Sequence, residues 1–194
     1  MSTHDHHHAN TDATDVFGFW IYIMSDCVLF AALFAAYAVL FKNTYGAPGI
    51  KQLASLPYVF AETMALLASS FTYGMGILAM YKNKKPAVIF WLGVTFLFGL
   101  TFVAMEVKEF IQMYLEGHSW HASAALSAFY TLVGTHGFHV SMGLLWMLIV
   151  MAQLLIYGIT PVMRKRLAYL GLFWAFLDIV WIFVFSIVYL MGVI

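Results

Sequence analysis

Charge is scarce in this sequence. Only 9% of its 194 residues are Asp, Glu, Lys or Arg, and nine acids balance nine bases. A chain with so little charge and no basic excess has no electrostatic footprint for nucleic acid, so no such partner is expected. Cys27 is the single cysteine, which rules out a disulfide framework and a cysteine metal cluster. The first residues hold no basic n-region leading into a short apolar core, so no cleaved signal peptide is expected. What is abundant is apolar surface: 63% of the residues are hydrophobic, in runs long enough to cross about 30 Å of hydrocarbon. Backbone in that medium must satisfy its own hydrogen bonds, so the expected fold is all-α, a polytopic membrane bundle.

Five spans are expected, at about 17–41, 58–81, 87–114, 124–157 and 167–193, forming one transmembrane domain over 16–194. Residues 1–15 read as a disordered, polar tail; its His4, His6, His7 and His8 have no scaffold to fix them as metal ligands. Gly46, Pro48, Gly49 and Pro57 mark a loop after the first span, and 116–123 reads as another. Short basic turns follow the second and fourth spans, with Pro161 as a breaker in the latter. They carry Lys82, Lys84 and Lys85, and Arg164, Lys165 and Arg166; the opposite side has Lys42, Lys51 and Lys108. That bias puts the N-terminus and both basic turns in the cytoplasm, and the C-terminus on the outer side of the membrane. Trp20, Tyr22, Tyr81, Trp120 and Tyr189 lie near span ends, as aromatic belts require. No internal repeat is visible, and five helices do not fit a simple inverted-repeat transporter.

Ionisable side chains at membrane depth are expensive, and each needs a partner or a wet cavity. The set is Asp26, His136, His139 and Asp178, with Glu62 and the Glu106/Lys108/Glu109 group expected nearer the surfaces, the latter as a solvated or partner-facing patch. The segment LVGTHGFHVSMG (132–143) puts both histidines three apart on one helix face, among Gly134, Gly137 and Gly143, which admit a close neighbour. Four chemistries compete. Haem ligation across two helices is disfavoured, because the membrane-depth histidines share one helix and His118 and His121 lie in a loop. Zinc, iron or copper on the two histidines with Asp26 or Asp178 rests on H-x-x-H alone, a weak signal. A proton path through Asp26, Asp178 and the histidines is permitted, although the groups form no continuous chain in sequence. The favoured reading is structural: each polar group bonds a neighbouring helix, and Ala31, Ala32, Ala35, Ala36, Gly74 and Gly76 allow close approach.

Five ordered pieces carry a resemblance: FGFWIYIMSDCVLF (17–30), EVKE (106–109), GTHGFHV (134–140), FLDIVW (176–181) and YLMG (189–192). Together they resemble subunit III of the haem-copper terminal oxidases over 16–194. The five spans, the aspartate of SDC (25–27) and the loop from Gly46 to Pro57 resemble the cytochrome bo-type ubiquinol oxidase branch. The resemblance implies an accessory, non-catalytic subunit of a quinol:oxygen oxidoreductase. Such a subunit binds no cofactor itself; haems and copper belong to subunit I. It packs on subunit I, in a complex with subunit II and a small subunit IV, and binds phospholipid in a cleft between its helices. The whole complex oxidises ubiquinol, reduces oxygen to water and translocates protons. Asp26 falls on the family's buried carboxyl position, and Glu106, Glu109, His136, His139 and Asp178 match motif positions. The chain departs from the pattern at Ala175, where the family often has histidine, and at Gln153, where cytochrome c oxidase members have arginine. The competing function is an independent proton-coupled transporter using Asp26 and Asp178; a pure assembly factor is a third.

Overall fold

The computed structural model describes residues 4–41, 56–116 and 123–190. Five long helices account for nearly all of them: α1 His4–Leu40, α2 Leu56–Tyr81, α3 Lys85–Leu115, α4 Ala124–Tyr157 and α5 Pro161–Val184. A six-residue π-helical segment, Phe185–Leu190, continues α5. All five helices are long and apolar enough to cross a membrane, over Val16–Leu40, Pro57–Tyr81, Lys85–Leu115, Ala124–Tyr157 and Pro161–Tyr189. The expected all-helical, five-span architecture is therefore present.

Two boundaries differ from the sequence reading by more than three residues. The first helix begins at His4, inside the stretch read as a disordered tail; nothing between His4 and Val16 breaks a helix, and neither Gly nor Pro occurs there. The fifth span starts six residues early, because Pro161 opens the helix instead of breaking the chain. Thr160 caps that end by accepting a hydrogen bond from the Met163 amide at 3.2 Å, and proline is at home in a first turn. Arg164, Lys165 and Arg166 are consequently helical. Likewise Pro86 sits in the first turn of α3. Lys42, Gly46, Pro48, Gly49, Lys51, His118, Trp120, His121 and Gly192 lie outside the described residues.

The α2–α3 connection is a Schellman turn. Asn83 adopts φ 54°, the Lys84 amide donates to the Ala79 carbonyl at 3.1 Å, and the Asn83 amide donates to Met80 at 3.0 Å. The turn packs α2 on α3 along their length; α3 also packs on α4, α4 on α5, and α5 back on α2. Those four helices close a ring. α1 lies outside it, against α4 and more lightly against α5, and only 22% of its span is buried, against 44% for α2 and α5.

Inside the ring, α2 and α5 are joined by three hydrogen bonds. The Tyr73 hydroxyl donates to the Leu167 carbonyl (2.6 Å), the Trp174 indole to Ser69 Oγ (3.0 Å) and the Trp181 indole to Thr63 Oγ1 (3.0 Å). Residues 167, 174 and 181 recur every seven positions, two helical turns, so one face of α5 carries all three. Two glycines make room for Trp174: a Cβ on Gly99 would meet Leu144 at 2.8 Å and the indole at 3.0 Å, and one on Gly143 would meet it at 3.1 Å. Hydrocarbon provides no hydrophobic drive between helices, so such close packing and buried polar bonds hold the bundle together. The alanines of α1 do not serve this purpose within the chain: Ala31, Ala32, Ala35 and Ala36 are exposed, and a Cβ on Gly74 would meet nothing.

Candidate functional site

The polar residues of the spans resolve into three groups. The first joins α1 to α4. His139 Nδ1 lies 2.8 Å from the Thr135 carbonyl one turn earlier. A carbonyl only accepts, so Nδ1 carries the hydrogen, and Nε2 is left facing Asp26 Oδ2 at 3.8 Å. Asp26 has no base near it in sequence; its partner comes from another helix. Phe30, one turn further along α1, covers both histidine rings, with centroids 6.3 Å from His136 and 5.3 Å from His139.

The second group is His136 itself. It is wholly buried, stacked on Trp181 (5.2 Å, 28°), with Phe102 edge-on at 5.9 Å. Neither ring nitrogen has a hydrogen-bond partner among the described residues. The two histidines of the H-x-x-H pattern thus share a face but serve different neighbours: one points into the ring of helices, the other out to α1.

The third group is acidic. Glu62 of α2 and Glu106 and Glu109 of α3 lie within electrostatic reach of one another. All three are buried, which corrects the expectation that Glu106 and Glu109 form a solvated or partner-facing patch. For Glu106 the room comes from Gly137. A Cβ there would stand 2.5–2.7 Å from the Glu106 carboxyl group, so only glycine lets that carboxyl lie against the α4 backbone. Tyr189 donates to Glu109 at 3.3 Å from the π-helical segment. Its sequence position predicts an interface aromatic, yet it is buried; an irregular turn re-aims side chains, and π segments do this often at functional sites. Lys108, between the two glutamates in sequence, is exposed and stands over the Tyr58 ring at 5.9 Å. Tyr58 in turn donates to the Met105 carbonyl at 3.0 Å. Asp178 is separate again: it is buried on α5 beside Ser70 of α2.

His136 is enclosed by aromatic rings, and His139 turns away toward Asp26. Among the described residues no three His, Cys, Asp or Glu side chains converge as ligands would. Glu109 is bonded across elements by Tyr189, whereas Asp26 Oδ2, both Glu62 carboxyl oxygens and both His136 nitrogens have no hydrogen-bond partner among the described residues.

A family model described as cytochrome c oxidase subunit III matches residues 2–193. The chain belongs to the cytochrome c oxidase subunit III family. It is 55% identical over 190 residues to the cytochrome bo(3) ubiquinol oxidase subunit 3 of Pseudomonas aeruginosa, covering 97% of this chain and 91% of that one. It is 42% identical to the cytochrome c oxidase subunit 3 of a Bacillus species (91% and 86% covered) and 39% identical to the quinol oxidase subunit 3 of Bacillus subtilis (95% and 90% covered). Subunit III is a component of haem-copper terminal oxidases, so this chain works beside other oxidase subunits.

Within this subunit III, three participants escape a reading of the sequence: Gly137 as the seat of Glu106, Trp181 as the roof of His136, and Tyr189 as the partner of Glu109. Only Gly137 leaves a signal, being a glycine between two histidines in a helix. Ala175, with Phe19, Trp20 and Ile23 of α1 and Leu172, Phe176 and Ile179 of α5, lines an apolar groove of about 210 Å³.

Proposed function

We propose that this chain is the accessory subunit III of a cytochrome bo-type ubiquinol oxidase. It stabilises the catalytic subunit and binds phospholipid; it supplies no ligand to haem or copper, which we assign to subunit I. The complex, with subunit II and a small subunit IV, would oxidise ubiquinol, reduce oxygen to water and translocate protons. The chain would span the bacterial inner membrane with its N-terminus in the cytoplasm and its C-terminus in the periplasm. Asp26, Glu62, Glu106, Glu109, His136, His139 and Asp178 would act as interhelical pegs or proton-linked groups. The observation that carries the branch is the 55% identity to a ubiquinol oxidase subunit over nearly the whole chain. The separation of Asp26 from Asp178, one facing His139 of α4 and the other Ser70 of α2, argues against one carrier pathway through both.

The test is a gentle detergent purification through a tag on this chain. A reduced-minus-oxidised haem spectrum and a count of co-purifying chains follow, before and after the chain is stripped off. Haem retained by the larger chains and a colourless free subunit support the proposal. Stoichiometric haem on the stripped chain refutes the ligand argument. Purification without partners, with proton-coupled transport by the chain alone in liposomes, would favour the transporter.

A further inference from the structure

Both basic turns lie at one end of the bundle, although about eighty residues separate them. Arg164 donates to Asn83 Oδ1 at 2.6 Å, so the first turn of α5 is tied to the Schellman turn before α3. Lys85 Nζ donates to the Leu155 carbonyl at 2.9 Å, and Arg166 to Gln153 Oε1 at 2.5 Å, each crossing to the last turns of α4. Lys82 and Lys84 flank Asn83 and are exposed.

Among the described residues, none of Lys82, Lys84, Lys85, Arg164 and Arg166 is paired with a carboxylate; every partner is a neutral oxygen. Those neutral bonds fix the position of three cations without cancelling their charge. The first turn of α3 opens without a side-chain cap, at Lys84, and so adds uncompensated amides to the same patch. Exposed apolar residues stand at the same ends of these helices, among them Tyr81, Phe90, Ile156 and Tyr157. Cations at the very ends of spans, with exposed apolar residues at the same ends, match a molecule that is anionic at headgroup depth and hydrocarbon below. An acidic protein segment would use the charge but leave the exposed apolar residues unexplained.

We propose that Lys82, Lys84, Lys85, Arg164 and Arg166 form a binding site for the phosphate of an anionic phospholipid, whose acyl chains lie along the exposed ends of α2, α3 and α4. This deepens the lipid-binding part of the proposed function by naming a place and a lipid charge class. It is distinct from the uncharged groove at Ala175.

The experiment uses the complex purified through this chain, delipidated and exposed to mixed micelles of phosphatidylglycerol or phosphatidylcholine, with bound lipid counted by native mass spectrometry. Phosphatidylglycerol is expected to bind in preference. A Lys82→Gln, Lys84→Gln, Arg164→Gln variant should lose about fivefold in affinity per charge removed, about a hundredfold in all, with phosphatidylcholine unaffected. Equal binding of the two lipids, or unchanged phosphatidylglycerol binding by the variant, overturns the proposal. Displacement of the lipid by millimolar inorganic phosphate also overturns it, by marking a site for the free ion. If the triple variant fails to assemble, Lys84→Gln alone carries the test, because that side chain is exposed and makes no bond among the described residues. Co-purifying chains and the haem spectrum are read on the same sample. Loss of anionic-lipid preference in an intact oxidase therefore refutes only this inference, and absence of oxidase partners refutes only the accessory-subunit reading.

Discussion

Thr63→Val tests how much of the bundle's stability rests on the α2–α5 bonds. Thr63 Oγ1 donates to the Val59 carbonyl at 2.9 Å and accepts the Trp181 indole N–H at 3.0 Å, with both residues buried. Valine keeps the shape and removes the acceptor, which strands the indole N–H in a pocket formed with Phe102 and His136. A buried donor left without a partner costs about 1–3 kcal/mol, whereas an intact interhelical bond in a membrane contributes roughly 0.6 kcal/mol and at most about 1.7. The single substitution should therefore cost more than the bond is worth. Adding Trp181→Phe should not add its full separate cost, because the stranded donor has gone. Thr63→Ser keeps the acceptor and should be near neutral. The assay is reversible unfolding of the subunit in detergent, read as a full double-mutant cycle. Thr101→Val is the control, since its hydroxyl only bonds back to Leu97 on an exposed face. If Thr63→Val costs no more than Thr101→Val, or if the cycle shows no coupling, the ladder does not hold α5 to α2.

Three further outcomes follow from the packing. Gly99→Ala would put a methyl 2.8 Å from Leu144 and 3.0 Å from the Trp174 ring, and should destabilise by about 1–3 kcal/mol through overpacking; Gly74→Ala, in open space, should not, and the two melting curves decide it. Gly137→Ala should push the Glu106 carboxyl off the α4 backbone and weaken assembly, while Gly137→Ala with Glu106→Ala should recover much of the loss, as co-purification yields would report. Asp26→Asn, which preserves shape at the His139 contact, should leave assembly and oxygen-consumption rates near normal if Asp26 only fixes α1 on α4; loss of proton pumping with normal assembly would overturn that.

The spans were legible because hydrocarbon length and backbone satisfaction leave little choice: all five are where the apolar runs put them. Their ends were less so, for reasons visible at Pro161. A proline after a glycine reads equally as a stop or as a first helical turn, and only Thr160, capping Met163, decides between them. The ring order α2–α3–α4–α5 was not legible at all. It depends on which faces meet, and helices that are apolar all round carry no amphipathic stripe to say so.

The site divides along the same line. The costly residues could be found from sequence because each is anomalous where it stands, but what each one touches is set by residues that look ordinary. Phe102 and Trp181 are unremarkable aromatics in apolar runs, and they enclose His136. Tyr189 looks like an interface residue until a π-helical turn carries it inward to Glu109. The error over Glu106 and Glu109 is instructive for that reason. Depth along a helix is a poor proxy for exposure, and with Lys108 between them the pair looks solvated from sequence. Yet residues three apart share a face while the two between them do not. Lys108 points out, and Glu106 and Glu109 point in, toward Gly137 and Tyr189. Read by face instead of by depth, the same three letters place two acids inside the bundle, and the glycine between the two histidines is the space one of them needs.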